Sequence, residues 1–80
     1  MKKDEIEASV IAVISDIINT EELKLNRKTK LVEDLGVDSF MAIEIAYALK
    51  EEFNIDMSSM QWSDLKRIED IIGLISKLSK

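Results

Sequence analysis

Residues 33–53 read Glu33-Asp34-Leu35-Gly36-Val37-Asp38-Ser39-Phe40-Met41-Ala42-Ile43-Glu44-Ile45-Ala46-Tyr47-Ala48-Leu49-Lys50-Glu51-Glu52-Phe53. Gly36 permits the positive φ of a sharp turn. Asp38 is a good N-cap, because its carboxylate can accept a backbone N–H from the first turn. The spacing predicts a helix from Ser39 to about Phe53. Ala42, Ile45, Ala46, Leu49 and Phe53 form its core stripe. Phe40, Ile43 and Tyr47 form a second apolar stripe at i, i+3 and i+7. A helix with one buried face does not need that second stripe. It either packs on another helix or is an exposed docking surface.

The flanking sequence repeats the helical period. Ile6, Val10, Val13, Ile14, Ile17 and Ile18 predict a first helix over about residues 4–19, with Lys3, Glu7 and Asp16 at polar positions. Asp4 and Glu5 fall in its first turn, where the helix dipole favours acids. A long connection over about residues 20–37 follows, with Leu23, Leu25, Leu31 and Leu35 as expected anchors. Loops of this length in a small domain are often functional. Ser58-x-x-Gln61 resembles a capping box and opens a short third helix to about Asp64. The last helix, about 67–78, packs Ile68, Ile71, Ile72, Ile75 and Leu78. Gly73 lies inside it at a cost of about 1 kcal/mol relative to Ala, which suggests a close helix contact. The expected fold is all-α: a four-helix bundle with three main helices, a short third helix and a long loop between helices 1 and 2. The whole of 1–80 reads as one domain.

Composition narrows the chemistry. The 80 residues include neither cysteine nor histidine. That removes disulfides, the usual zinc ligands and histidine-activated nucleophiles. No stretch reaches the roughly 20 apolar residues of a membrane span, and acids stand where a signal peptide would begin its apolar core. A cytoplasmic monomer is the expectation. The formal net charge of −5 argues against nucleic acid as a partner. The acidity is local: Glu33–Asp56 holds seven acids and one base, and the remainder nine acids and ten bases. Such a window steers basic partners, or simply keeps the protein soluble.

Ser39 occupies the chemically informative position. The first turn of a helix offers unpaired N–H groups and the positive end of the dipole, which stabilise a phosphate on or near that hydroxyl. Asp34 and Asp38 oppose this partly by like charge. A catalytic serine needs an adjacent base. There is no histidine, and no lysine lies within several residues. Ser39 therefore reads as an acceptor modified by another enzyme. Its plainer role is that of an ordinary Asp-Ser helix start.

The run Leu31-Val32-Glu33-Asp34-Leu35-Gly36-Val37-Asp38-Ser39 resembles the phosphopantetheine attachment region of acyl carrier proteins. The resemblance continues through Glu44, Ile45, Ala48-Leu49 and Glu51-Glu52-Phe53 to the last helix, and so covers essentially the whole chain. It implies a carrier and not an enzyme. A separate phosphopantetheinyl transferase would attach 4′-phosphopantetheine from coenzyme A to Ser39, and the arm's thiol would hold acyl cargo as a thioester. Partners would be acyl-loading and acyl-using enzymes with basic docking patches. The second helix would meet them through Asp38, Phe40, Met41, Glu44, Tyr47, Glu51 and Glu52. Ile43 would serve the same surface or line a cargo pocket. No catalytic residue and no metal ligand is expected.

Some positions depart from the pattern of fatty-acid carriers. Phe40 stands where Leu is usual and Met41 where an acid is frequent. Lys50 interrupts the acids, and the Met57-Ser58 turn has no proline. Asp-Ser-Phe also looks like carriers of D-alanine and some stand-alone carriers of secondary metabolism. An aminoacyl or D-alanyl carrier is thus an alternative, and an unmodified helical interaction module a third. Trp62, with Met57 and Met60, either shapes a cargo pocket or fills a small core.

Overall fold

The computed structural model describes residues 2–56 and 65–78. Among these the chain is helical, with no strand. Helix α1 spans Lys3–Ile18, α2 Ser39–Phe53 and α3 Ile68–Leu78, and a single 3-10 turn covers Glu22–Lys24. The three long helices coincide with the expected ones to within one or two residues. The short third helix, with Met57, Met60 and Trp62, lies outside the described residues.

Helix α1 packs against both α2 and α3. Ile6, Val10 and Ile14 of α1, Ile45 and Leu49 of α2, and Ile68, Ile71 and Ile75 of α3 are fully buried. Each side chain of this kind stabilises the fold by about 1.5–3 kcal/mol relative to exposure. Both α1 and α2 end on an asparagine in the left-handed conformation, Asn19 (φ 56°) and Asn54 (φ 51°). Asn is one of the few residues that adopts this cap without a steric penalty.

The long connection is pinned rather than loose. Leu25, Leu31 and Val37 are buried in the core, and Leu35 is half-buried against it. Leu23 is 97% exposed, so it is no anchor: the 3-10 turn points it to solvent, and Leu25 takes the core position. Backbone bonds then sew the loop to the entry of α3. Leu31 N–H donates to the Lys66 carbonyl at 2.9 Å, and Ile68 and Glu69 N–H donate to the Thr29 and Arg27 carbonyls at 3.0 Å. Lys30 and Arg67 face each other in an isolated antiparallel bridge. Arg27 pairs with Glu7 and, at 3.6 Å, with Asp4, tying the loop to α1. The hydrogen bond and charge of Glu7 raise the Arg27 guanidinium above its ordinary pKa.

Gly73 needs a second correction. A Cβ built there meets nothing within 4 Å. Among the described residues it marks no helix contact, and Gly73 is exposed.

Candidate functional site

The turn that leads into α2 is built in three steps. Asp34 folds back on the loop: its carboxylate accepts the Lys30 N–H at 2.8 Å, while its own N–H donates to the Lys30 carbonyl at 3.0 Å. Gly36, at φ +67°, then reverses the chain. Its N–H donates to the Val32 carbonyl at 2.9 Å, and the Val37 N–H donates to the Leu31 carbonyl at 3.0 Å. Val37 is buried, so the turn is fastened by a side chain as well as by its backbone. Asp38 follows in extended conformation and caps α2. Its Oδ1 accepts the Met41 N–H at 2.8 Å, and its carbonyl accepts the Ala42 N–H at 2.9 Å.

Ser39 is therefore the first residue of α2, and it is exposed. Asp38 takes the Met41 donor, which leaves the Ser39 and Phe40 N–H groups without a protein acceptor among the described residues. These N–H groups and the helix dipole suit a phosphate on the Ser39 hydroxyl. The Asp34 carboxylate is turned onto the Lys30 N–H, and Lys30 Nζ lies 3.2 Å from Glu33. Among the described residues Ser39 has no side-chain hydrogen bond, and Lys30, the lysine before it in the chain, is paired with Glu33.

At about 100° per residue, the expected recognition residues of α2 fall into two sets. Phe40, Glu44, Tyr47 and Glu51, together with Ile43, share an arc of about 100°. Phe40, Ile43 and Tyr47 are 70%, 67% and 64% exposed, and Glu44 and Glu51 are exposed beside them. The second stripe thus does not pack on another described helix. Met41 and Glu52 lie on a different edge. Met41 is half-buried against the core, and Glu52 lines a groove with Ala12, Asp16 and Asn19 of the α1 end. Val32, 67% exposed in the approach to the turn, extends the apolar surface. Sequence reading did not single it out, since a loop has no period to show which way a side chain points. It also missed Val37, whose only signal was an apolar residue set between Gly36 and a cap.

Comparison with known proteins agrees with this geometry. A family model described as the C-terminal ACP domain of the highly reducing polyketide synthase sdgA matches residues 1–80. The chain is 31% identical over 78 residues to an acyl carrier protein of Akkermansia muciniphila, covering 98% of both chains. It is 34% identical over 77 residues to an acyl carrier protein of Campylobacter jejuni, covering 96% of this chain and 95% of the relative. Among solved structures it is similar to the apo doublet acyl carrier protein from prodigiosin biosynthesis, with a TM-score of 0.80 and 25% identity. That match covers 94% of this chain and 36% of the doublet.

Proposed function

This chain belongs to the acyl carrier protein family, and on that premise we propose that it carries acyl intermediates on 4′-phosphopantetheine attached to Ser39 and delivers them to separate biosynthetic enzymes. The observation that carries the reading is the exposed Ser39 at the start of α2, behind the Asp38 cap and without a side-chain hydrogen bond among the described residues. A transferase would supply the base. The Ser39 oxygen would attack the phosphorus that bears the pantetheine, and the pyrophosphate bond of coenzyme A would break. The nucleotide bisphosphate would leave and the hydroxyl proton would pass to the transferase. The arm, once attached, supplies a terminal thiol for thioester chemistry, which a chain without cysteine cannot supply itself.

The chain's own residues hold and present that arm. The free N–H groups of Ser39 and Phe40 would offset the phosphodiester charge. The Phe40, Ile43 and Tyr47 stripe, edged by Glu44 and Glu51, would meet partners that combine an apolar slot with basic residues. The matched family model takes its name from a polyketide synthase, which favours a fatty-acid or polyketide type of cargo. The working place we assign is the cytoplasm; among the described residues no helix is long and apolar enough to cross a membrane.

The test is intact mass. The protein is incubated with coenzyme A and a broad-range phosphopantetheinyl transferase, beside a carrier known to be modified. A gain of one phosphopantetheine that disappears in Ser39→Ala supports the reading. No gain while the control is modified would overturn it. Loading with fatty-acyl and aminoacyl adenylating enzymes then separates acyl from D-alanyl cargo.

A further inference from the structure

We propose that Asp70, in the first turn of α3 and 31 positions after Ser39 in the chain, is a positioning residue for modification of Ser39. The inference rests on the reading of Ser39 as the attachment site.

The connection runs through backbone hydrogen bonds. Asp70 Oδ2 accepts the N–H groups of both Lys66 and Arg67 at 3.0 Å, and Asp70 N–H donates to the Arg67 carbonyl at 3.0 Å. These three bonds fix the short segment that enters α3. The Lys66 carbonyl is thereby held where it accepts the Leu31 N–H at 2.9 Å. The Leu31 carbonyl in turn accepts the Val37 N–H at 3.0 Å, and Val37 adjoins the Asp38 cap and Ser39. Side chains fasten the same path, since Leu31, Val37 and Leu65 are all buried. Lys28 and Glu69, 3.3 Å apart, close it on the solvent side.

The geometry makes Leu31 a clamp with a bond on each side. One bond looks to α3 and the other to the serine turn. Nothing else among the described backbone bonds holds Val37 N–H. Through Leu31 the serine turn is tied to the entry of α3, and Asp70 helps to order that entry beside the bonds from Ile68 to Thr29 and from Glu69 to Arg27. Small displacements of a reacting group are costly in rate, so a residue remote from the hydroxyl can govern how well it is presented.

The experiment compares Asp70→Ala and Asp70→Asn with the unaltered protein. Ala removes the acceptor; Asn keeps an acceptor oxygen and removes the charge. Initial rates of phosphopantetheine transfer are measured at a temperature where circular dichroism shows all three fully folded, so that lost stability alone leaves the rate unchanged. The expected result is a kcat/KM at least about fivefold lower for Asp70→Ala, with Asp70→Asn close to the unaltered protein. An Asp70→Ala protein modified at the unaltered rate would overturn the proposal. So would equal losses in both variants, which would assign the effect to charge. If the unaltered protein takes up no phosphopantetheine, the reading of Ser39 fails instead. Should Asp70→Ala not fold, native-state amide exchange of the unaltered protein decides. The Leu31, Val37 and Ile68 amides should open as one unit with protection within a factor of about three; a Val37 amide that opens independently of the other two refutes the relay.

Discussion

Asp38 has two separable roles, and two substitutions distinguish them. Its Oδ1 accepts the Met41 N–H at 2.8 Å, and its charge sits at the positive end of α2. Asp38→Ala removes both and leaves the amide of a half-buried residue without an acceptor. Losing such a cap costs about 1 kcal/mol, and losing the dipole term about 0.5 kcal/mol more. Asp38→Asn keeps a capping oxygen and loses only the second amount. In a domain of this size about 1 kcal/mol moves Tm by about 4–8 °C. Asp38→Ala should therefore melt about 6–12 °C below the unaltered protein and Asp38→Asn about 2–4 °C below it. Urea unfolding followed by circular dichroism checks the free energies, with m unchanged. An Asp38→Ala midpoint equal to that of the unaltered protein would refute the cap. Equal losses in the two variants would show that the charge, and not the hydrogen bond, stabilises the turn. Asp38→Asn then becomes the tool for function: its fold is nearly intact, so any large loss of transferase efficiency reports on recognition of the charge.

Three further outcomes follow from the backbone and the charges. Gly73→Ala should stabilise the protein by up to about 1 kcal/mol, because a helical glycine there faces open space; a loss of stability in urea would restore the idea of a close contact. Gly36→Ala should destabilise by about 1 kcal/mol, since φ is +67° and the added methyl group itself meets nothing; an unchanged midpoint would show that the turn relaxes. Stability should be nearly flat from pH 6 to 9. The chain has no histidine or cysteine, and the Arg27 guanidinium, raised by the hydrogen bond and charge of Glu7, gives a contribution fully present below the ordinary guanidinium range and lost only at pH above it. A slope of about 1.4 kcal/mol per pH unit, one proton's worth, would contradict this.

The helices were legible because their apolar residues repeat with one period. Ile6, Val10, Val13, Ile14 and Ile17, like Ile68, Ile71, Ile72 and Ile75, share one side only at the helical period. The start of α2 was legible too, since Gly36 and Asp38 each have a local conformational reason to be where they are. Leu23 and Gly73 were misread for the complementary reason. A leucine in a 3-10 turn has no period to declare its side, and a helical glycine says nothing about whether a neighbour approaches. The bonds from Leu31 to Lys66 and from Ile68 to Thr29 join segments more than 30 residues apart, and no local pattern encodes them. The start of α2, where the candidate site lies, could therefore be read from the sequence, while the fastening of its turn could not.

The exposed stripe of α2 bears on how strongly a carrier should bind. Phe40, Ile43 and Tyr47 contribute little to the fold, being 64–70% exposed. Their substitution by polar residues should leave stability nearly unchanged, as for surface positions generally. On a partner, burying the exposed two-thirds of each would yield about 1–2 kcal/mol, or roughly 3–6 kcal/mol together. Association costs about 4–15 kcal/mol before any such gain appears. In the proposed function the stripe alone would thus come near to or short of breaking even, and the acids beside it would supply the remainder as salt-dependent attraction. Under the proposed function such a surface would bind briefly and re-form often, as a protein that visits several enzymes requires. Enlarging it would turn a carrier into a permanent subunit. The economy of the stripe, three apolar side chains within an acidic border, is therefore part of the proposed function and not merely a consequence of the helix having two sides.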